Sequence, residues 1–105
     1  MAQFDVFENP NAAQRASFPY FVVLQSDQLD HFRTRLVMPL ARLAAPPLEA
    51  PRRLAQTVQV RGERLHLAPH LTAALPTAAL KQAVHSLRAD AAVLVDALDA
   101  VVSGV

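Results

Sequence analysis

Cysteine and tryptophan are both absent from this 105-residue chain. The first absence excludes a disulfide framework, thiolate metal sites and a cysteine nucleophile together. Glycine occurs only twice, at Gly62 and Gly104. A glycine-rich phosphate cradle, a dinucleotide fingerprint and a G-x-S-x-G nucleophile elbow are therefore all missing, and no cofactor is expected. Charge is scarce and balanced, with 10 Lys and Arg against 9 Asp and Glu. That balance suits neither a disordered chain nor a basic nucleic-acid arm. Long apolar runs are lacking too: the most apolar stretch, Ala91 to Val105, is interrupted by Asp96 and Asp99 and falls short of the roughly 20 residues that cross a bilayer as a helix. Asp5 and Glu8 stand where a secretory signal would carry basic residues and then an apolar run. The expectation is a cytoplasmic protein with no membrane segment.

What is present points to a packed globule. Hydrophobic residues make up 52% of the chain, but 20 of them are alanine and aromatics are only 6%, so the core has few large side chains. One domain spanning residues 1–105 is expected, burying roughly 60–70% of the unfolded surface. Dimerisation would add to that burial.

Strands come first and a helix last. Gln3 to Phe7 reads as a short strand with Phe4 and Val6 on one face, followed by turn chemistry at Asn9, Pro10 and Asn11. Pro19 to Leu24 is β-branched and aromatic without alternation, which predicts a central strand buried on both faces. After a break at Gln25, Ser26 and Asp27, the run Arg35 to Met38 predicts a third strand that Pro39 ends or pushes to an edge. Three prolines between Ala44 and Pro51 make that stretch a loop. Gln56 to Val60 and Glu63 to Leu67 alternate around Arg61-Gly62 and predict a hairpin. Pro69 and Pro76 bracket a segment that is loop or short strand. At the C-terminus, Leu87, Ala91, Leu94, Leu98 and Val101 recur at steps of four and three, opposite Arg88, Asp96, Asp99 and Ser103. That pattern predicts an amphipathic helix from about Ser86 to Val102, with Asp90 in its first turn and Gly104 as its cap. Asp96 and Asp99 then lie at the negative end of the helix dipole and read as tolerated surface acids.

The candidate chemistry is thin. His66 and His70 have the spacing of a helical zinc pair, with His85 as a third ligand, but Pro69 and the strand pattern destroy that geometry. Ser26, Asp27, Asp30 and His31 hold hydrolase residue types within six positions, yet triads are assembled across distant segments, so turn capping is the better reading. Arg33, Arg35, Arg42, Arg52 and Arg53 suggest a basic patch, without the net charge or stacking aromatics of a nucleic-acid module. Neither catalytic nor metal-binding residues are expected, and no direct contact with nucleic acid.

Several segments taken in order resemble the CcdB toxins. They are Gln3-Phe4-Asp5-Val6-Phe7, the Gln25-Ser26-Asp27 turn after an apolar strand, Leu36-Val37-Met38-Pro39-Leu40, and Ala97-Leu98-Asp99 with the closing Ser103-Gly104-Val105. The resemblance runs essentially end to end, with a two-residue insertion between Asn11 and Ser17. It implies a β-rich α+β fold: an SH3-like antiparallel sheet or barrel of about five strands with a C-terminal helix, in a twofold homodimer. It further implies a toxin of a type II toxin–antitoxin pair, not an enzyme, that binds the A subunit of DNA gyrase and traps the cleaved-DNA complex. The disordered tail of a cognate antitoxin would neutralise it. By the same resemblance the gyrase-binding residues are Gln28, Leu29, Asp99, Val102, Ser103, Gly104 and Val105.

This chain departs from the family at that surface. The family carries Trp where Ser103 stands, an aliphatic residue at the position of Gln28 and a polar amide at that of Asp99. Two readings therefore stand side by side: a gyrase-poisoning toxin, and a dimeric interaction protein of the same fold that binds an antitoxin but no longer poisons gyrase.

Overall fold

The computed structural model describes residues 2–42 and 56–103. Among them seven strands form one antiparallel sheet: β1 (Asp5–Glu8), β2 (Tyr20–Val23), β3 (Thr34–Ala41), β4 (Thr57–Val60), β5 (Glu63–Leu67), β6 (Ala73–Pro76) and β7 (Ala83–Ser86). Among the described residues a single α-helix, α1 (Ala91–Ser103), follows them. The strand order is β4-β5-β3-β2-β1-β7, with β6 also paired to β3. The sheet curls into a half-barrel, so the architecture is the β-rich α+β fold that the sequence implied. Seven strands stand where about five were expected.

The central strand is as expected. In β2 the adjacent Val22 and Val23 are both buried, one on each face. The larger core, on the face that α1 covers, gathers Phe4, Val6, Val22, Met38 and Leu40 with Leu87, Leu94 and Ala97. The smaller one, on the other face, joins Phe7, Val23, Val37 and Leu80. The hairpin also holds, with Val60 paired to Glu63 across Arg61-Gly62. Both turn residues have positive φ (53° and 82°), the left-handed pair that matches strand twist and that glycine adopts without strain.

Three expectations are corrected. Pro39 neither ends β3 nor sends it to an edge; the strand continues to Ala41 and is flanked on both sides. Residues 34–37 pair with β6, and Leu40 and Ala41 pair with β5. Pro39 sits at the changeover, where its carbonyl accepts from Ala68 N–H at 3.1 Å and a missing N–H interrupts no ladder. The helix begins at Ala91 and not at Ser86, because Ala83–Ser86 pairs with β1. A 3-10 turn over Arg88–Asp90 makes the joint. The buried face of α1 is consequently rotated: Leu94, Ala97 and Ala100 are inside, Leu98 is half-buried and Val101 is exposed. Asp96, read as a surface acid, is half-buried and accepts from Gln56 Nε2 at 3.0 Å.

Phe4 fixes the start of the chain. Its φ of 70° lies in the left-handed region, which costs a bulky residue about 1–2 kcal/mol. The surroundings hold it there: Phe4 N–H donates to Val23 O at 2.7 Å, Leu87 N–H donates to Phe4 O at 2.8 Å, and the ring is buried. The loop expected over Ala44 to Pro51 lies outside the described residues, as do Arg52 and Arg53.

Leu94 is fully buried between the helix and the sheet, whereas Val95 beside it is 51% exposed. Leu94→Ala is expected to lower unfolding free energy by about 2–5 kcal/mol, and Val95→Ala to change it by no more than about 0.5 kcal/mol. Urea titration of both variants measures the contrast.

Candidate functional site

Gln28 and Leu29 lie in a 3-10 turn, Asp27–Leu29, between β2 and β3. The turn is built by the residues read as its caps. Ser26 Oγ accepts from Gln28 N–H at 3.2 Å, and Asp27 Oδ1 accepts from Gln3 N–H at 2.7 Å. Arg88 approaches Asp27 Oδ2 at 4.0 Å. Ser26, Asp27 and Asp30 thus serve the turn, as capping residues and as backbone hydrogen-bond partners, with Asp30 also accepting from Arg35. Gln25 closes the loop from inside: its Nε2 donates to Leu29 O and Thr34 O, and its Oε1 accepts from Leu36 N–H, each at 3.2 Å.

Arg35 completes this scaffold, and its role is a correction. Only 6% exposed, it belongs to no surface patch. One guanidinium nitrogen donates to Phe32 O and to Thr34 O at 2.9 Å; the other donates to Asp30 O at 2.5 Å and Asp30 Oδ1 at 2.8 Å. Arginine alone offers donors in a planar fork that reaches several carbonyls at once. Arg42 is also engaged, in an ion pair with Glu63. That hydrogen bond holds the Glu63 carboxyl below its ordinary value and raises Arg42.

The other group of candidates closes α1. Asp99, Val102 and Ser103 are exposed, Val102 at 79%. Ser103 Oγ donates back to Asp99 O at 2.7 Å, the local bond that serine forms along a helix. Gly104, its expected capping role, and Val105 lie outside the described residues. Among the described residues no hydrogen bond joins this end of α1 to the Gln28–Leu29 turn. The turn lies instead near Arg88, which precedes the start of α1. The sequence-based candidates therefore form two patches within one chain. Sequence reasoning missed Arg35 as the residue that shapes the first patch; an arginine flanked by Leu36-Val37-Met38 was the signal for burial.

No group of three potential metal ligands gathers among the described residues. His66 is half-buried in β5, whereas His70 and His85 are exposed. Among the described residues no helix is long and apolar enough to cross a membrane.

Arg35→Ala removes the donors for three loop carbonyls and for Asp30 in a largely dry setting. A loss of roughly 2 kcal/mol or more is expected, and Arg35→Lys should recover only part of it because a single ammonium cannot span the same acceptors. Denaturant midpoints of the two variants provide the check.

The curled sheet, the C-terminal helix and the order of motifs along the chain agree with a comparison against protein families. The model described as CcdB protein matches residues 3–104. No curated protein matches the chain. With nearly its whole length covered by the family model, the chain belongs to the CcdB family, the toxins of type II toxin–antitoxin pairs.

Proposed function

We propose that this toxin acts as a homodimer that binds the A subunit of DNA gyrase and traps the gyrase–DNA cleavage complex until a cognate antitoxin removes it through a disordered tail. The observation that carries the reading is the exposed end of α1. Asp99, Val102 and Ser103 stand in solvent on the last turns of a helix whose other side is anchored by Leu94, Ala97 and Ala100. The last turns of α1 are where the family resemblance puts the target contact, and Asp99, Val102 and Ser103 there are exposed. Such a protein works by binding: it stabilises one state of the target complex and needs no reacting group of its own, so the absence of a triad is no obstacle.

One observation favours a second reading, in which the chain keeps the dimer and the antitoxin but does not poison gyrase. Ser103 stands where the family has Trp, and its hydroxyl is turned onto its own helix at Asp99 O. It offers no apolar area to a partner. Buried aromatic anchors contribute about 2–4 kcal/mol at an interface, roughly 30- to 1000-fold in affinity. The toxin reading therefore carries a quantitative expectation of weak binding.

Two measurements decide between these readings. Induction of the chain in a sensitive bacterium is expected to produce gyrase-linked DNA breaks at high expression, and Ser103→Trp to produce them at lower expression with tighter binding to the purified A subunit. A folded Ser103→Trp protein that gains no affinity would favour the second reading. For the assembly, a chain this rich in alanine has few large side chains to bury within one copy, and pairing of copies would add to that burial. Light scattering at micromolar concentration should report twice the 11.4 kDa chain mass; a particle of one chain would remove the dimer.

A further inference from the structure

Arg35 occupies a strand position of the kind that apolar residues fill. Leu36, Val37 and Met38 follow it, Leu75 of β6 is its cross-strand partner, and it is only 6% exposed. A buried guanidinium is costly unless its N–H groups are engaged. For stability alone, a well-packed apolar side chain of similar volume serves such a position as well or better. What the charge does is therefore read from what it bonds.

Its acceptors are Asp30 O, Asp30 Oδ1, Phe32 O and Thr34 O, all in the segment that leads from the Asp27–Leu29 turn into β3. The turn by itself has only short-range backbone bonds: Leu29 N–H donates to Ser26 O at 3.0 Å, Asp30 N–H to Asp27 O at 3.1 Å and Phe32 N–H to Leu29 O at 3.1 Å. A lone 3-10 turn holds its own shape poorly. Gln25 adds bonds at 3.2 Å to Leu29 O and Thr34 O, longer than those that Arg35 makes to Thr34 O at 2.9 Å and Asp30 O at 2.5 Å. The conformation of the turn is thus set largely from β3, through one guanidinium.

We propose that Arg35 is a positioning residue for target binding: it holds the turn that carries Gln28 and Leu29 in the conformation that engages the gyrase A subunit, without reaching the target itself. The inference rests on the toxin reading above and goes one step further, from the residues that meet the target to the group that fixes their geometry. A residue that touches a partner acts mainly on dissociation. One that only sets the population of the competent conformer acts on association, because apparent affinity falls with the fraction of chains in that conformer.

The test measures association and dissociation rates of the purified full chain, Arg35→Lys and Val58→Ala with the purified gyrase A subunit, and amide hydrogen exchange of each free chain. Arg35→Lys keeps a cation for Asp30 but cannot span the carbonyls. Val58 is buried in the main core on the edge strand β4, so Val58→Ala lowers stability and removes no bond of the loop. In Arg35→Lys the amides of Leu29, Asp30 and Phe32 should exchange faster, and association should slow about 10-fold with dissociation within about twofold. Val58→Ala should leave both rates and those amides as they are. Asp30→Ala, which removes only an exposed acceptor of Arg35, should shift both readouts in the same direction by less and decides the matter if Arg35→Lys does not fold. A folded Arg35→Lys chain that associates as fast as the unmodified one overturns the proposal and leaves the toxin reading standing. Slowing shared by Val58→Ala, or a loss confined to dissociation, overturns it as well, the first by assigning the effect to lost stability and the second to direct contact. No binding by the unmodified chain overturns both readings.

Discussion

Everything in this structure hangs on β3 having three partners. Along one edge it pairs with β2 from Val23↔Val37 to Tyr20↔Leu40. Along the other it pairs first with β6 and then with β5. A strand that stopped at Met38 would leave the β4–β5 hairpin without a seat, and with it Val58, Val60, Leu65 and Leu67 on the main core face. Continuation through Pro39 is possible only because the change of partner falls there. Proline is destabilising in a sheet chiefly through the ladder bond it cannot donate, and at this position no strand on that side would receive one. The same changeover lets the sheet curl, since the two edge partners need not lie in one plane.

Curling creates the concave face that α1 fills, and the helix meets it through small residues as much as large ones. Ala97 and Ala100 are buried beside Leu94. Phe4 contributes from the opposite end of the chain. By accepting Leu87 N–H while donating to Val23 O, it ties the start of β1 to β2 and to the joint between β7 and the helix. A strained phenylalanine persists because two backbone bonds and a buried ring determine its place.

The parts of the fold legible in sequence were those whose pattern is local. Alternation of Val58 and Val60 against Leu65 and Leu67 around Arg61-Gly62 describes a hairpin by itself, and unbroken apolar character marked β2. β6 and β7 carry no such signal. Ala73–Pro76 and Ala83–Ser86 are mostly exposed, and their extended form comes from pairing with β3 and β1, distant in sequence. The helical periodicity that reached back to Leu87 was misleading for a related reason. Leu87 is buried as expected, but by ending a strand. The candidate site was legible only through the family resemblance. Arg35 looked like one of several surface arginines; the apolar run Leu36-Val37-Met38 beside it hinted at burial, but the loop carbonyls that its guanidinium binds are set by the fold.

That arginine also explains why the two candidate patches differ physically. The last turn of a helix has carbonyls without intrahelical donors and frays readily. At this end of α1, Asp99 adds negative charge where the dipole is already negative. Side chains presented there are ordered only as well as that turn is. The loop before β3 has the opposite character: its carbonyls are bonded from within by Gln25 and Arg35, and Asp27 ties it to Gln3 N–H and Arg88.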